Sequence, residues 1–165
     1  MPYIAPHAPE PDFKAMAELR YQIRRFLRFS ETAARQAGIE PQQHQLLLAV
    51  RGLPDRLKPT VGVLAERMQL QHHSTVELID RLVERGFLCR LRASDDRRQV
   101  LVKLTGDGEK FLQTLSLSHL QELQSVGPAF AKILERLIQD VVSAPTTQQP
   151  NKDAVQKRRK DTSHG

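Results

Sequence analysis

Tryptophan is absent from this chain of 165 residues, cysteine occurs once, and aromatic residues make up only 5% of it. A single thiol cannot form an internal disulfide, so no covalent framework holds the fold and the cytosol is the expected compartment. No apolar run approaches the roughly 20 residues that a bilayer-spanning helix needs, which leaves the membrane out of the expected partners. The opening residues, MPYIAPHAPEPDF, show no basic stretch followed by an apolar one, so no secretory signal is read there. Also missing are a Gly-rich phosphate loop, paired carboxylates in an apolar setting, and a Ser or Cys beside a recognisable base. An enzyme is therefore not expected, and neither is a cofactor.

What is present is positive charge. Lys and Arg number 25 against 19 Asp and Glu, a net charge of +6 with a sequence pI near 9.8. Such a balance favours a polyanionic partner, nucleic acid or an anionic membrane surface. The charge is not uniform. Residues 85–105 carry six basic side chains (Arg85, Arg90, Arg92, Arg97, Arg98, Lys103) against Asp95 and Asp96, and the tail from Ala144 carries five against Asp153 and Asp161. Together these two excesses exceed the whole net charge, so the rest of the chain is close to neutral.

The length fits one globular domain with appendages. Residues 1–11 hold four prolines and read as an extended arm. Asp12 can cap a first helix. From Phe13 to about Ala37, apolar or small residues recur at Met16, Leu19, Ile23, Phe26, Ser30, Ala33 and Ala37, a helical stripe on a helix of about seven turns. A helix that long in so small a protein predicts packing against a second subunit. Gly38 ends it as a left-handed cap, and Pro41 opens a second helix to about Gly52 with Leu46, Leu47 and Val50 inward. Thr60 caps a third helix, Val61 to Met68, and Gln69 to Gln71 form a turn. A fourth helix runs from about His72 to Arg85 with Val76, Ile79, Leu82 and Val83 inward, and Gly86 stops it. Phe87 to Arg92 and Gln99 to Leu104 read as strands around a charged loop, ASDDRR. Thr105 caps a fifth helix to about Gln124, Gly127-Pro128 breaks it, and a sixth spans about Ala129 to Val142. The segment after Ser143 lacks apolar periodicity and is expected to be disordered, and its KRRK cluster reads as a solvated end, with nonspecific phosphate contact as the alternative.

Two short helices joined by a turn, with a hairpin after them, make a winged helix-turn-helix. The fold class is mainly α with a small β-wing: a winged helix-turn-helix lobe (41–104) plus a helical dimerisation lobe (12–38 and 105–143). Gln71, His72, His73, Ser74 and Thr75 open the fourth helix, with Glu77, Leu78 and Arg81 further along, and are expected to point away from the body. Short polar side chains in the first turns of such a helix reach base edges in the major groove, and its free N–H groups face phosphate. Ser74 and Thr75 have the plainer alternative of acting only as caps. Two adjacent histidines do not make a metal site, since helical neighbours point about 100° apart and no further ligand stands at the right spacing. In the loop, Asp96 is expected to orient Arg98, leaving Arg97 for phosphate or the minor groove, the plainer alternative being an internally paired turn.

Leu64-Ala65, Asp80-Arg81-Leu82 through Gly86-Phe87-Leu88, Arg90, Asp96-Arg97-Arg98, and Leu104-Thr105 with Gly108 after them together resemble the MarR family of bacterial transcriptional regulators, over about Ala17 to Val142. Gln69 departs from the pattern, standing where glycine is common. The resemblance implies a homodimeric repressor that binds double-stranded DNA at a pseudo-palindromic operator and is released by a small phenolic or aromatic acid. Arg90 joins the implied DNA contacts. Arg24 on the first helix and His44 and Arg51 on the second are the side chains offered as ligand contacts, each with the plainer reading of a surface or core residue. Some members of the family sense oxidants through a cysteine of the N-terminal helix. Here the one cysteine, Cys89, is in a strand and reads as a structural thiol, with a redox role or a protein-binding use of the winged helix as alternatives.

Overall fold

The computed structural model describes residues 11–93 and 99–142. Five helices and one hairpin are arranged in the order α1 (Phe13–Gln36), α2 (Pro41–Arg51), α3 (Val61–Met68), α4 (His72–Glu84), β1 (Leu88–Arg92), β2 (Val100–Leu104) and α5 (Gly106–Val142). The strands pair antiparallel from Leu88 opposite Leu104 to Arg92 opposite Val100. Val102 donates its N–H to the Pro59 carbonyl at 2.9 Å, which ties the hairpin to the segment ahead of α3. The arm up to residue 10, the wing tip 94–98 and the tail from residue 143 lie outside the described residues.

Local chemistry sets the helix ends. Asp12 accepts from the Ala15 N–H at 2.9 Å, and Thr60 accepts from the Val63 N–H at 3.4 Å, each satisfying a donor that its helix cannot. Three helices close with the same paired bonds. In α1 the Gly38 and Ile39 amides reach the carbonyls of Arg35 and Ala34; in α4 Gly86 and Phe87 reach Val83 and Leu82; in α3 Gln69 and Leu70 reach Glu66 and Ala65. This closure requires a left-handed residue, supplied by Gly38 at φ 77° and Gly86 at φ 74°. Gln69 adopts it at φ 52° despite its Cβ, an arrangement that costs about 1–2 kcal/mol. Its side-chain amide donates to the Glu66 carbonyl at 2.7 Å, which offsets part of that cost.

The core lies where α2, α3, α4 and the hairpin meet α1 and the start of α5. Leu46, Leu47, Leu64, Ile79, Leu82 and Val102 are fully buried within it. The inward face of α4 differs from the sequence expectation. Thr75, Leu78, Ile79 and Leu82 are the buried residues of this helix, at i, i+3, i+4 and i+7, while Val76 is only half-buried. Thr75 and Leu78 thus face the core instead of pointing outward.

The C-terminal region also differs. Instead of two helices broken at Gly127-Pro128, α5 is one helix of 37 residues, about 55 Å long at 1.5 Å per residue. Pro128 donates no N–H to the Gln124 carbonyl, and an interior proline costs about 3 kcal/mol. Gln124 is solvent-exposed, so water can take the freed carbonyl. Val126 and Phe130, on either side of the proline, share an apolar groove with Ile23, Phe26 and Leu27 of α1, and this packing carries the helix through.

Thr105 links the hairpin to α5. Its N–H donates to the Phe87 carbonyl at 3.0 Å, and its hydroxyl donates to the Gly86 carbonyl at 2.5 Å and accepts from the Gly108 N–H at 3.1 Å. The first turn of α5 consequently lies directly on the chain leaving α4. A Cβ on Gly108 would sit 2.1 Å from the Phe87 carbonyl oxygen, so only glycine fits there.

Candidate nucleic-acid interface and inter-lobe junction

Because Thr75, Leu78, Ile79 and Leu82 turn one face of α4 inward, the opposite face is fixed. His73, Glu77 and Arg81 form an outward ridge at i, i+4 and i+8, with Gln71 and His72 exposed beside it and Ser74 half-exposed. Arg81 and Glu77 make a loose pair at 3.9 Å with both side chains largely solvated, so either head group is free to re-aim at little cost. Among the described residues, no side chain caps the N-terminus of α4. Its first-turn N–H groups and the positive end of the helix dipole therefore face outward together. Thr75 takes no part in this surface: it has no exposed area, and its hydroxyl donates to the Gln71 carbonyl at 3.1 Å, closing the first turn from within.

The hairpin is braced against α4. Arg90 of β1 reaches Asp80 of α4 at 2.6 Å, with the arginine side chain about one-third exposed. A charge-assisted bond this short holds the wing at a set angle to the outward ridge. Arg90 is thereby engaged in positioning as well as available at the surface. Arg92 and Lys103 are exposed on the same hairpin, and Cys89 is half-buried opposite Lys103. Asp96, Arg97 and Arg98 of the wing tip lie outside the described residues. Behind the hairpin, the Arg85 guanidinium lies 5.1 Å from the Phe87 ring centre, and Phe87 stacks on Phe111 of α5 at 4.7 Å.

A second cluster sits where α2 meets α1 and α5. His44 is 1% exposed, and among the described residues neither of its ring nitrogens has a hydrogen-bond partner. Its ring lies 4.7 Å from that of His119 on α5. His119 is well held: Nδ1 is 2.8 Å from the Leu115 carbonyl, Nε2 is 2.8 Å from the Ser30 hydroxyl, and Phe26 and Phe29 meet its ring edge-on. Burial, with a smaller contribution from the neighbouring His119, pushes the His44 pKa down to about 4 from an ordinary 6.5. Next to this cluster, Phe29 and Ala33 of α1 and Lys110, Phe111 and Leu115 of α5 line a groove of about 570 Å³.

Residues 37–99, which span α2, α3, α4 and the hairpin up to β2, match the sequence model of the MarR family. The match covers the winged-helix lobe, which is what this chain shares with the MarR family in sequence. Solved structures of MarR-family proteins share its fold. CouR from Rhodococcus jostii RHA1, bound to p-coumaroyl-CoA, has a TM-score of 0.62 at 18% identity, over 84% of this chain and 96% of that one. A cysteine-to-serine mutant of MarR from E. coli, complexed with operator DNA, has a TM-score of 0.58 at 22% identity, over 78% and 94%. A MarR family protein from Bacillus stearothermophilus has a TM-score of 0.59 at 22% identity, over 81% and 100%. Comparison with curated proteins finds no match.

Within this fold the residues singled out from the sequence fall into three places. Gln71, His72, His73, Ser74, Glu77 and Arg81 share the outward side of α4, and Arg90 stands beside it. Arg24, His44 and Arg51 do not converge. Arg24 is exposed on α1, His44 is sealed in the junction, and Arg51 pairs with Glu109 of α5 at 2.9 Å beside a different groove. Sequence reasoning does not find His119 and Lys110. His119 has a legible signal all the same, falling in step with Leu112, Leu115 and Val126 on the buried stripe of α5.

Proposed function

We propose that this protein is a DNA-binding transcriptional regulator of the MarR type, acting as a homodimeric repressor whose two α4 helices read the half-sites of a pseudo-palindromic operator. The observation that carries this reading is the uncapped, polar and outward first turn of α4 with the braced hairpin beside it. His73, Glu77 and Arg81 supply side chains of the length and polarity that reach base edges. The N–H groups supply phosphate contacts. The wing arginines Arg97 and Arg98 extend the contact to phosphate or the minor groove. Two neighbours of the same fold, E. coli MarR complexed with operator DNA and an S. aureus MepR mutant bound to an oligodeoxyribonucleotide, support the DNA reading.

Dimerisation rests on a face that one chain leaves open. Met16, Ile23 and Leu27 of α1 and Leu120, Leu123, Leu134 and Ile138 of α5 are each more than one-third exposed. These side chains recur at helical spacing along the two longest helices, which suits an isologous two-fold contact. Release by a small aromatic acid is the effector part of the proposal. The groove between α1 and α5 fits such a ligand, with Phe29 and Phe111 for the ring and Lys110 for a carboxylate. CouR, bound to p-coumaroyl-CoA, supports that class. A gel-shift titration against the DNA upstream of the protein's own gene, beside a scrambled duplex at several salt concentrations, tests the reading. The expected result is a shift of the upstream fragment at concentrations that leave the scrambled one free. Equal affinity for both, falling together with salt, refutes sequence-specific reading.

A further inference from the structure

The His44–His119 contact is costly as built. A neutral imidazole carries one N–H donor and one acceptor nitrogen, and His44 has a partner for neither, although burying such groups unpaired costs about 1–3 kcal/mol. His119, 4.7 Å away, is satisfied on both sides. A carbonyl only accepts, so Nδ1 of His119 carries a proton toward Leu115, and in the neutral ring Nε2 accepts from Ser30. The His119 ring is thus fixed, and His44 meets it with an unsatisfied ring. A leucine at position 44 would fill the space without an unpaired polar atom.

The position gives the histidine leverage. His44 belongs to α2, inside the winged-helix lobe, whereas Ser30, Phe26, Phe29 and His119 belong to the two long helices. We propose that His44 is a proton-operated latch between the two: uncharged, its ring seals α2 against α1 and α5, and proton uptake releases α2, carrying the winged helix with it. A charged imidazole there would be buried, without an acceptor, beside a second histidine. It gains hydration only if the contact opens.

The groups packed around His44 come from three elements. From α1 the cluster receives two phenylalanines and the Ser30 hydroxyl, and from α5 it receives His119. α4 is linked to the neighbouring Gln43, whose amide oxygen the Arg85 guanidinium reaches at 3.5 Å. The carboxylates and cations Glu31 with Arg35 and Arg51 with Glu109 pair with one another at the surface. Relative to alkaline pH, proton uptake at pH 4 favours the released form over the sealed one by about 160-fold, approaching about 300-fold at lower pH. That exceeds the bias needed to invert an equilibrium of one part in ten.

The latch is measured without DNA. Any effect on operator affinity rests on the proposed function, but the movement of α2 and α4 against α1 does not. Nitroxides on Glu77→Cys and Arg20→Cys in a Cys89→Ser background, spin-diluted with unlabelled chain, report the distance from α4 to α1. The expected result is one distribution above pH 6.5 and a second growing in as the pH falls toward 4, while circular dichroism shows the helices intact. His44→Phe and His44→Gln cannot titrate and hold the first distribution throughout, whereas the His72→Gln, His73→Gln double variant shifts like the parent. Two variants of different polarity guard against one failing to fold. A shift that persists in either position-44 variant overturns the latch, as does a parent distribution that stays constant until the helices unfold.

Discussion

Gly108 sits where two parts of the fold meet, and replacing it with alanine tests how closely they approach. The added methyl would lie 2.1 Å from the Phe87 carbonyl oxygen and 3.0 Å from its carbon. That carbonyl cannot easily recede, because it accepts the Thr105 N–H at 3.0 Å and the Phe87 ring is stacked on Phe111. Overpacking of this kind costs about 1–3 kcal/mol, and a clash with backbone belongs at the upper end. Alanine returns up to about 1 kcal/mol through its helix propensity. The net expectation for Gly108→Ala is a loss of about 2 kcal/mol, which lowers the melting temperature by roughly 4–16 °C at the 2–8 °C per kcal/mol typical of domains near this size. Gly62→Ala is the companion: its Cβ meets nothing within 4 Å, so only the propensity gain of up to about 1 kcal/mol applies. Urea unfolding of both variants at one protein concentration reads the difference, the fixed concentration removing any contribution from association. Equal stability of Gly108→Ala and Gly62→Ala would refute the packing of α5 on the Phe87 carbonyl.

Three further outcomes are expected from the same geometry. Because the pKa of His44 is depressed from 6.5 to about 4 in the folded chain, the unfolded chain binds more protons between these values; stability is complete above pH 6.5 and falls as the pH drops toward 4, by on the order of 3 kcal/mol at most. His44→Phe removes that contribution, and urea midpoints at the two ends of the window measure it. Gln69→Gly relieves the left-handed strain at φ 52° but loses the side-chain bond to Glu66, so stability rises by roughly 1 kcal/mol or less, and a fall in the urea midpoint contradicts the cap assignment. Leu134→Glu with Ile138→Glu places charge on the exposed α5 face and is expected to give monomers in sedimentation velocity where the parent gives dimers; a parent that sediments as a monomer removes the dimer proposal.

The order of elements is legible in the sequence because its signals are local. Asp12, Thr60 and Thr105 each cap a helix, and Gly38 and Gly86 hold left-handed turns, as their residue types require. Thr75 misleads because its hydroxyl looks polar in sequence, yet that hydroxyl is satisfied by the Gln71 carbonyl one turn back and the side chain packs inward. Its burial brings Leu78 inward with it and rotates the α4 face by one position. Pro128 misleads because a missing N–H breaks a helix most readily where the freed carbonyl is cut off from water, and here Gln124 is exposed. The junction is the least visible part. His44 and His119 are 75 positions apart in sequence, and nothing local announces that α2 and α5 bring their rings within 4.7 Å.

Selection of bound duplexes from a random library tests most directly that the outward face of α4 reads sequence as a symmetric pair. The expected outcome is an enriched pseudo-palindrome with half-site centres about 10–10.5 base pairs apart, degraded at defined bases by Glu77→Ala and Arg81→Ala. Enrichment of no sequence, or of an unsymmetric site indifferent to both substitutions, contradicts the account.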